Sequence, residues 1–267
     1  MDLRATRFEV VDRLATVWLD RPHRANAWTG RMHAEYRWIF EQLEARDDVR
    51  AVIVTGSGDR FCVGGDSEAL RDHVERGSYD TGLPPESAQP GGGDGFDADF
   101  AWQLGYRHPI VAAVNGACAG VGLALALFCD LRFVTPEARM TTAAPKLGLP
   151  AEYGMSWTLP RLIGATRAAD LLLSGRVFTG AETAAWGLWN DVVDDPLDAA
   201  TAWARNLAAT TGPAAVATTK HQLAADLVHN SPAASVAESL RLMDLAMGTA
   251  EYAEGIAAFS ERRAPNF

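Results

Sequence analysis

Two unbroken apolar runs, Ala51-Val52-Ile53-Val54 and Ile110-Val111-Ala112-Ala113-Val114, constrain this chain more than any other feature. Strands that are apolar at every residue are buried on both faces, and such strands belong to parallel sheets whose crossovers are helices. A third run, Leu131-Arg132-Phe133-Val134, follows a buried apolar helix predicted over Gly120–Phe128. Ahead of these, Phe8–Val11 and Leu14–Leu19 flank a polar turn and read as a hairpin. From Thr29, the spacing of Met32, Tyr36, Ile39, Phe40 and Leu43 predicts an amphipathic helix to about Arg46. The fold class is therefore α/β.

Past Pro196 the pattern turns wholly helical, with predicted helices over 199–209, 213–227, 233–245 and 251–262. The expected division is an α/β core over residues 1–195 and a helical oligomerisation region over 196–267. Between about 76 and 97 the chain holds Pro84-Pro85, Pro90 and Gly91-Gly92-Gly93 with few large apolar groups, so a mobile loop is expected there.

Composition removes several function classes. With 24 Lys+Arg against 34 Asp+Glu the formal charge is −10, which disfavours nucleic acid as a partner. Lys146 and Lys220 are the only lysines and neither follows glycine, so no phosphate-binding Gly-Lys-Ser/Thr loop exists. The longest apolar segment, Ala117 to Cys129, is 13 residues, too short for membrane insertion as a spanning helix. No apolar leader follows Met1-Asp2-Leu3-Arg4, which points to a cytoplasmic protein. Cys62, Cys118 and Cys129 form no C-x-x-C pair and read as core residues, so no metal is expected.

Two glycine-rich turns carry the chemistry. Phe61-Cys-Val-Gly64-Gly65-Asp66 and Asn115-Gly-Ala-Cys-Ala-Gly120-Val-Gly122 each follow a strand and open a helix. A dinucleotide reading of the second is disfavoured, because no tyrosine has a lysine four residues on. Close helix packing alone is the plain alternative. If both turns end neighbouring strands, their amides can converge on one oxygen that becomes negative during reaction, as when a thioester carbonyl turns into an enolate.

At these residues the chain resembles the enoyl-CoA hydratase/isomerase (crotonase) superfamily over nearly its whole length. Arg21-Pro22-x-x-x-Asn26-Ala27, the two turns, Cys129-Asp130-Leu-Arg132, Leu147-Gly-Leu149, Leu159-Pro-Arg-Leu-Ile-Gly164, Leu171-Leu-Leu-Ser-Gly175 and Ala185-Trp-Gly187 occur in the family's order. The resemblance implies a crotonase-like ββα spiral with a C-terminal helical region, assembled as a homotrimer or a hexamer. It implies an acyl-CoA substrate of fatty acid metabolism and no separate cofactor, coenzyme A being part of the thioester. By position, the oxyanion donors would be the amides of Gly65 and Val121. His23, Arg24 and Ala25 would lie along the CoA, the Val63 backbone would meet the adenine, and Phe259 and Arg262 would reach a CoA from the C-terminal helix.

The chain departs from the family where hydration chemistry is done. The two glutamates of typical hydratases fall at Ala124 and Ala144, and a methyl group transfers no proton. Glu152 falls where a dienoyl-CoA isomerase of the superfamily carries a catalytic aspartate, so the resemblance implies isomerase-type proton shuttling. Hydration by a lyase using Glu152 or another group, and acyl-CoA binding without catalysis, are the alternatives. Glu152 also reads as a helix N-terminal acid, Tyr153 and Trp157 as acyl-pocket or core aromatics, and His73 and His108 as acid–base candidates or, as lone histidines more often are, structural residues.

Overall fold

The computed structural model describes residues 1–68, 71 and 95–267. The loop expected at about 76–97 falls outside them up to residue 94, as does His73.

The predicted hairpin is β1 (Thr6–Val11) and β2 (Leu14–Leu19), joined by Asp12 and Arg13, both at positive φ (50° and 69°). That turn matches the right-handed twist of the paired strands. Thr29 caps the helix Gly30–Glu44 through its side chain, accepting from the Met32 amide. On its inner face Glu35 is buried and accepts from the amides of Arg4, Ala5 and Thr6, which fastens the N-terminus to the helix.

The apolar runs become β3 (Ala51–Gly56), β5 (Ile110–Val114) and β7 (Leu131–Val134). With β10 (Asp191–Val192) they complete a six-stranded sheet in the order β1-β2-β3-β5-β7-β10, parallel from β2 onward. Its alternating side chains serve two cores, so β3, β5 and β7 are apolar except for Thr55 and Arg132, which are buried and donate to main-chain carbonyls. Val52, Val54, Ile110, Ala112 and Val114 face the main core, while Leu14, Ala51, Ile53, Val111 and Ala113 face the helix Pro196–Thr210. That helix presents Ala200, Ala204 and Ala208, four residues apart, so it lies close against the sheet.

The glycine-rich turns do not leave the large-sheet strands directly. Each is preceded by a short strand of a second sheet, β4 (Arg60–Cys62) and β6 (Ala117–Ala119), which continues through β8 (Arg139–Thr141) to β9 (Phe178–Thr179). Large-sheet strand, small-sheet strand, helix is the repeating unit, so the chain is a ββα spiral. The predicted C-terminal helices occupy Pro196–Thr210, Pro213–Val228, Pro232–Met247 and Ala250–Glu261. Among the described residues no helix is long and apolar enough to cross a membrane.

Gly122 shows how tightly the second turn is seated. A methyl there would stand 2.5 Å from the Cys62 carbonyl oxygen and 2.6 Å from Cys62 Cβ, and neither backbone nor a buried side chain can retreat. Overpacking of this kind costs about 1–3 kcal/mol or more. Gly122→Ala should therefore lower the thermal midpoint by several degrees, about 2–4 °C per kcal/mol at this size. An unchanged melting curve would show that β4 and the helix Val121–Leu127 are not in contact as described.

Candidate active site

β4 and β6 are neighbours and run parallel, with Cys62 opposite Cys118, so the turns that follow them leave the sheet at the same end. Gly64 (φ 105°) and Gly120 (φ 50°) both take backbone conformations that favour glycine. Their meeting is close: a methyl on Gly120 would stand 3.9 Å from Gly64 Cα and 3.6 Å from Oε2 of Glu152. Three segments distant in sequence thus converge on one point.

The amide directions follow from hydrogen bonding. Trp28 N–H donates to the Gly64 carbonyl (2.8 Å) and Asp66 N–H donates to the Trp28 carbonyl (2.9 Å), a parallel bridge that flanks Gly65. In such a bridge the central residue's own N–H faces away from the partner. Gly65 is exposed, so that N–H is accessible. Val121 is the first residue of the helix Val121–Leu127, where an N–H has no intrahelical acceptor.

Glu152 lies two residues ahead of Gly154, the cap of the helix Met155–Ile163, and no side chain caps that helix. At that helix start Glu152 takes part through its carbonyl, which accepts from the Met155 N–H (3.0 Å), and not through its carboxylate. Partial burial pushes its carboxyl above the ordinary range. Ala124 and Ala144 are both buried, 0% and 1% exposed. Burial holds the Cys62 and Cys129 thiols at about 12, which makes them inert as nucleophiles.

An aromatic wall joins the two sides. Trp28 meets Phe100 edge-on (5.5 Å between ring centroids), and Phe100 meets Tyr153 (5.2 Å). Phe100 is itself at φ 62°, an uncommon conformation for a bulky residue. His33 stacks on Phe100 and points Nε2 toward Asp99 (3.4 Å). Trp157 instead stacks on Phe128 beneath Arg161. His108 packs on Tyr106, with its carbonyl accepting from Lys220. Burial and the neighbouring Arg107 push it down to about 4, so it stays neutral.

The residues implied to bind CoA fall in two groups. Ala25 and Val63 are in contact, the Val63 N–H donating to the Ala25 carbonyl at 3.4 Å, with His23 exposed beside them. Arg24 is partly exposed, but its guanidinium already pairs with Asp66 (2.9 Å) and Glu68 (3.4 Å). Phe259 (84% exposed) and Arg262 lie on the surface at the C-terminal helix. The sequence reading assigned no role to Asp66, Arg21, Trp28 or Phe100. Asp66 and Arg21 stand within the motifs, but the burial of Asp66 between two arginines 45 and 42 residues away is visible only in the fold.

Comparison with known proteins accords with this geometry. Residues 9–267 match the family described as Enoyl-CoA hydratase/isomerase. The chain is 32% identical over 259 residues to the 1,2-epoxyphenylacetyl-CoA isomerase of Escherichia coli, covering 94% of each protein. It is 34% identical over 269 residues to a protein of Rhodobacter capsulatus named "Probable enoyl-CoA hydratase", covering 100% of this chain and 99% of that one. The crystal structure of an enoyl-CoA hydratase from Polaromonas sp. JS666 superposes with a TM-score of 0.84 at 26% identity, over 98% of this chain and 99% of that one. The ββα spiral, the converging glycine turns and these matches establish the chain as an enzyme of the enoyl-CoA hydratase/isomerase family.

Proposed function

We propose that this enzyme moves a proton between carbons of an acyl-CoA thioester, with Glu152 as the acid–base group and the amides of Gly65 and Val121 holding the enolate oxygen. The observation that carries the reading is the position of Glu152 Oε2 at the junction of the two glycine turns. The carboxylate takes a proton from one carbon, and the electron pair moves to the thioester oxygen. The two N–H groups stabilise that oxygen more than they do the neutral carbonyl. Glu152, now protonated, returns the proton to another carbon, and the thioester carbonyl re-forms. One carboxylate serves both transfers.

Hydration by the two-glutamate route has no support in these residues, since Ala124 and Ala144 carry no proton and are sealed from water. The name of the E. coli relative, an isomerase, favours the same class. The thioester's CoA runs past His23, Arg24, Ala25 and Val63, whose contiguity supports the assignment. Arg24 meets phosphate with the face it does not give to Asp66. Arg262 is exposed, which leaves its guanidinium accessible to a phosphate.

The proposed assembly is a homotrimer or a pair of trimers. Helix Pro232–Met247 buries none of its residues, and Val236, Leu240 and Met243 are 60%, 56% and 51% exposed along one face. An apolar helix face needs a partner surface. Light scattering should give a mass near three or six times 28.7 kDa, and a lone 28.7 kDa species would reject the assembly.

Glu152→Gln keeps shape and loses the base. It should reduce α-proton exchange of an enoyl-CoA in D2O by about 10²–10⁴ while CoA-ester affinity stays within about threefold. Equal exchange by the two proteins would remove Glu152 from the reaction. The wild type should also lose activity on acidification. Because burial raises the Glu152 carboxyl, the basic form is depleted at a higher pH than for an ordinary carboxylate, so the acid limb of kcat/KM should lie above the 4.5 of a free glutamate side chain. An acid limb at or below that value would contradict the assignment.

A further inference from the structure

Asp66 follows the proposed oxyanion donor Gly65, and no step above uses it. Its carboxylate is 2% exposed and carries four hydrogen bonds. Oδ1 accepts from Arg24 Nη2 (2.9 Å) and from the Glu68 N–H (3.0 Å). Oδ2 accepts from Arg21 Nη1 (3.0 Å) and from Arg24 Nε (3.4 Å). Burial alone would raise this carboxyl, but the bonds from Arg24, Glu68 and Arg21 hold it below its ordinary value, so it is an anion at neutral pH.

Capping the Glu68 amide needs only a neutral acceptor, and serine or asparagine would supply it. A buried charge is costly unless paired and fully hydrogen-bonded. What the charge adds here is a fixed attachment to residues 21–24. Those residues are rigid in turn. The Asn26 side chain accepts from the Arg21 N–H (2.9 Å) and donates to the carbonyls of Ser57 (2.9 Å) and Arg60 (2.7 Å). Arg21 Nη1 also donates to the Ala27 carbonyl at 2.6 Å.

The turn is therefore gripped on both sides of Gly65. The Trp28 amide holds the Gly64 carbonyl before it, and Asp66 is held after it by its own N–H to Trp28 and by two guanidinium groups. Glycine has the widest choice of backbone conformations, so a lone Gly-Gly pair would not keep one N–H aimed at one point. We propose that Asp66 is a positioning residue which, through Arg21 and Arg24, fixes the direction of the Gly65 N–H toward the enolate oxygen. This rests on the reading of Gly65 as an oxyanion donor. It also makes the segment assigned to CoA and the segment assigned to the thioester one mechanical unit, because Arg24 belongs to both.

The test uses acetoacetyl-CoA, a β-ketoacyl thioester whose enolate absorbs in the near ultraviolet, so that affinity and enolate formation are read separately. Asp66→Asn keeps the shape and the Oδ1 cap but sets an amide against a guanidinium. Arg21→Gln removes one arm from a residue that touches no substrate, and serves if the first variant does not fold. Either variant should bind acetoacetyl-CoA with Kd within about threefold of wild type, yet show a severalfold smaller enolate absorbance in the bound complex. Their kcat for proton exchange should fall by about 10–100-fold with KM little changed, short of the 10²–10³ expected for outright loss of a donor. If a folded variant melts at lower temperature but enolises the bound ligand like wild type, Asp66 only stabilises the fold and the inference is overturned. If the wild type itself binds acetoacetyl-CoA without enolate absorbance, the donor assignment fails and this inference with it, and the wild-type trace alone separates that outcome from the previous one.

Discussion

The pairing of β4 with β6 is the contact on which the site depends. Each strand is three residues long, and the two share a register only at Arg60 with Ala117 and Cys62 with Cys118. Strands so short hold position because both ends are anchored elsewhere. β3 and β5, which precede them, are paired over four residues in the large sheet. Asn115 spans the gap, its side-chain amide donating to the carbonyls of Gly56 and Gly58. The large sheet thus fixes where the small strands start, and the small strands fix where the glycine turns end.

Given that scaffold, the division of labour between backbone and side chain follows from what each supplies. An enolate oxygen needs donors that do not titrate and do not move, which main-chain amides satisfy. Proton transfer needs a group that titrates, the role proposed for Glu152 beside the two turns. Its partial burial matters because a carboxyl with a raised pKa is both a stronger base when ionised and a competent acid when protonated. Ala124 and Ala144, by contrast, offer only buried methyl groups, which transfer no proton.

The large elements were legible because hydrophobic periodicity records burial. The hairpin, the helix Gly30–Glu44, β3, β5, β7 and the four C-terminal helices fall within a few residues of their predicted bounds. The small sheet was not. Strands of two or three residues are shorter than a period, and β4 and β6 sit inside segments whose glycines read as turns. Convergence of the turns was legible only as a condition, since whether two strands are neighbours is a tertiary fact. The Arg24–Asp66 ion pair joins residues 42 apart, and an exposed-looking arginine in the sequence carries no trace of its partner. Glu152 stood out through the family resemblance, because one acidic residue in a loop has no pattern of its own.

Burial along the C-terminal helices declines from the core outward. Pro196–Thr210 lays its alanine stripe against the sheet, and Pro213–Val228 inserts Lys220, whose ammonium meets Asp130 (2.6 Å) and the His108 carbonyl (2.9 Å). Pro232–Met247 buries no residue, and Ala250–Glu261 buries only Ala258. Yet these last helices are not less apolar in sequence, and Leu240, Leu245, Ile256 and Phe259 are all exposed. A chain with formal charge −10 repels its own copies at long range, so indiscriminate association is opposed while a specific, well-packed apolar face can still overcome the repulsion at contact. The exposed end of the molecule is thus the place where a single copy fails to satisfy its own hydrophobic pattern, and that deficit is the physical basis of the proposed assembly.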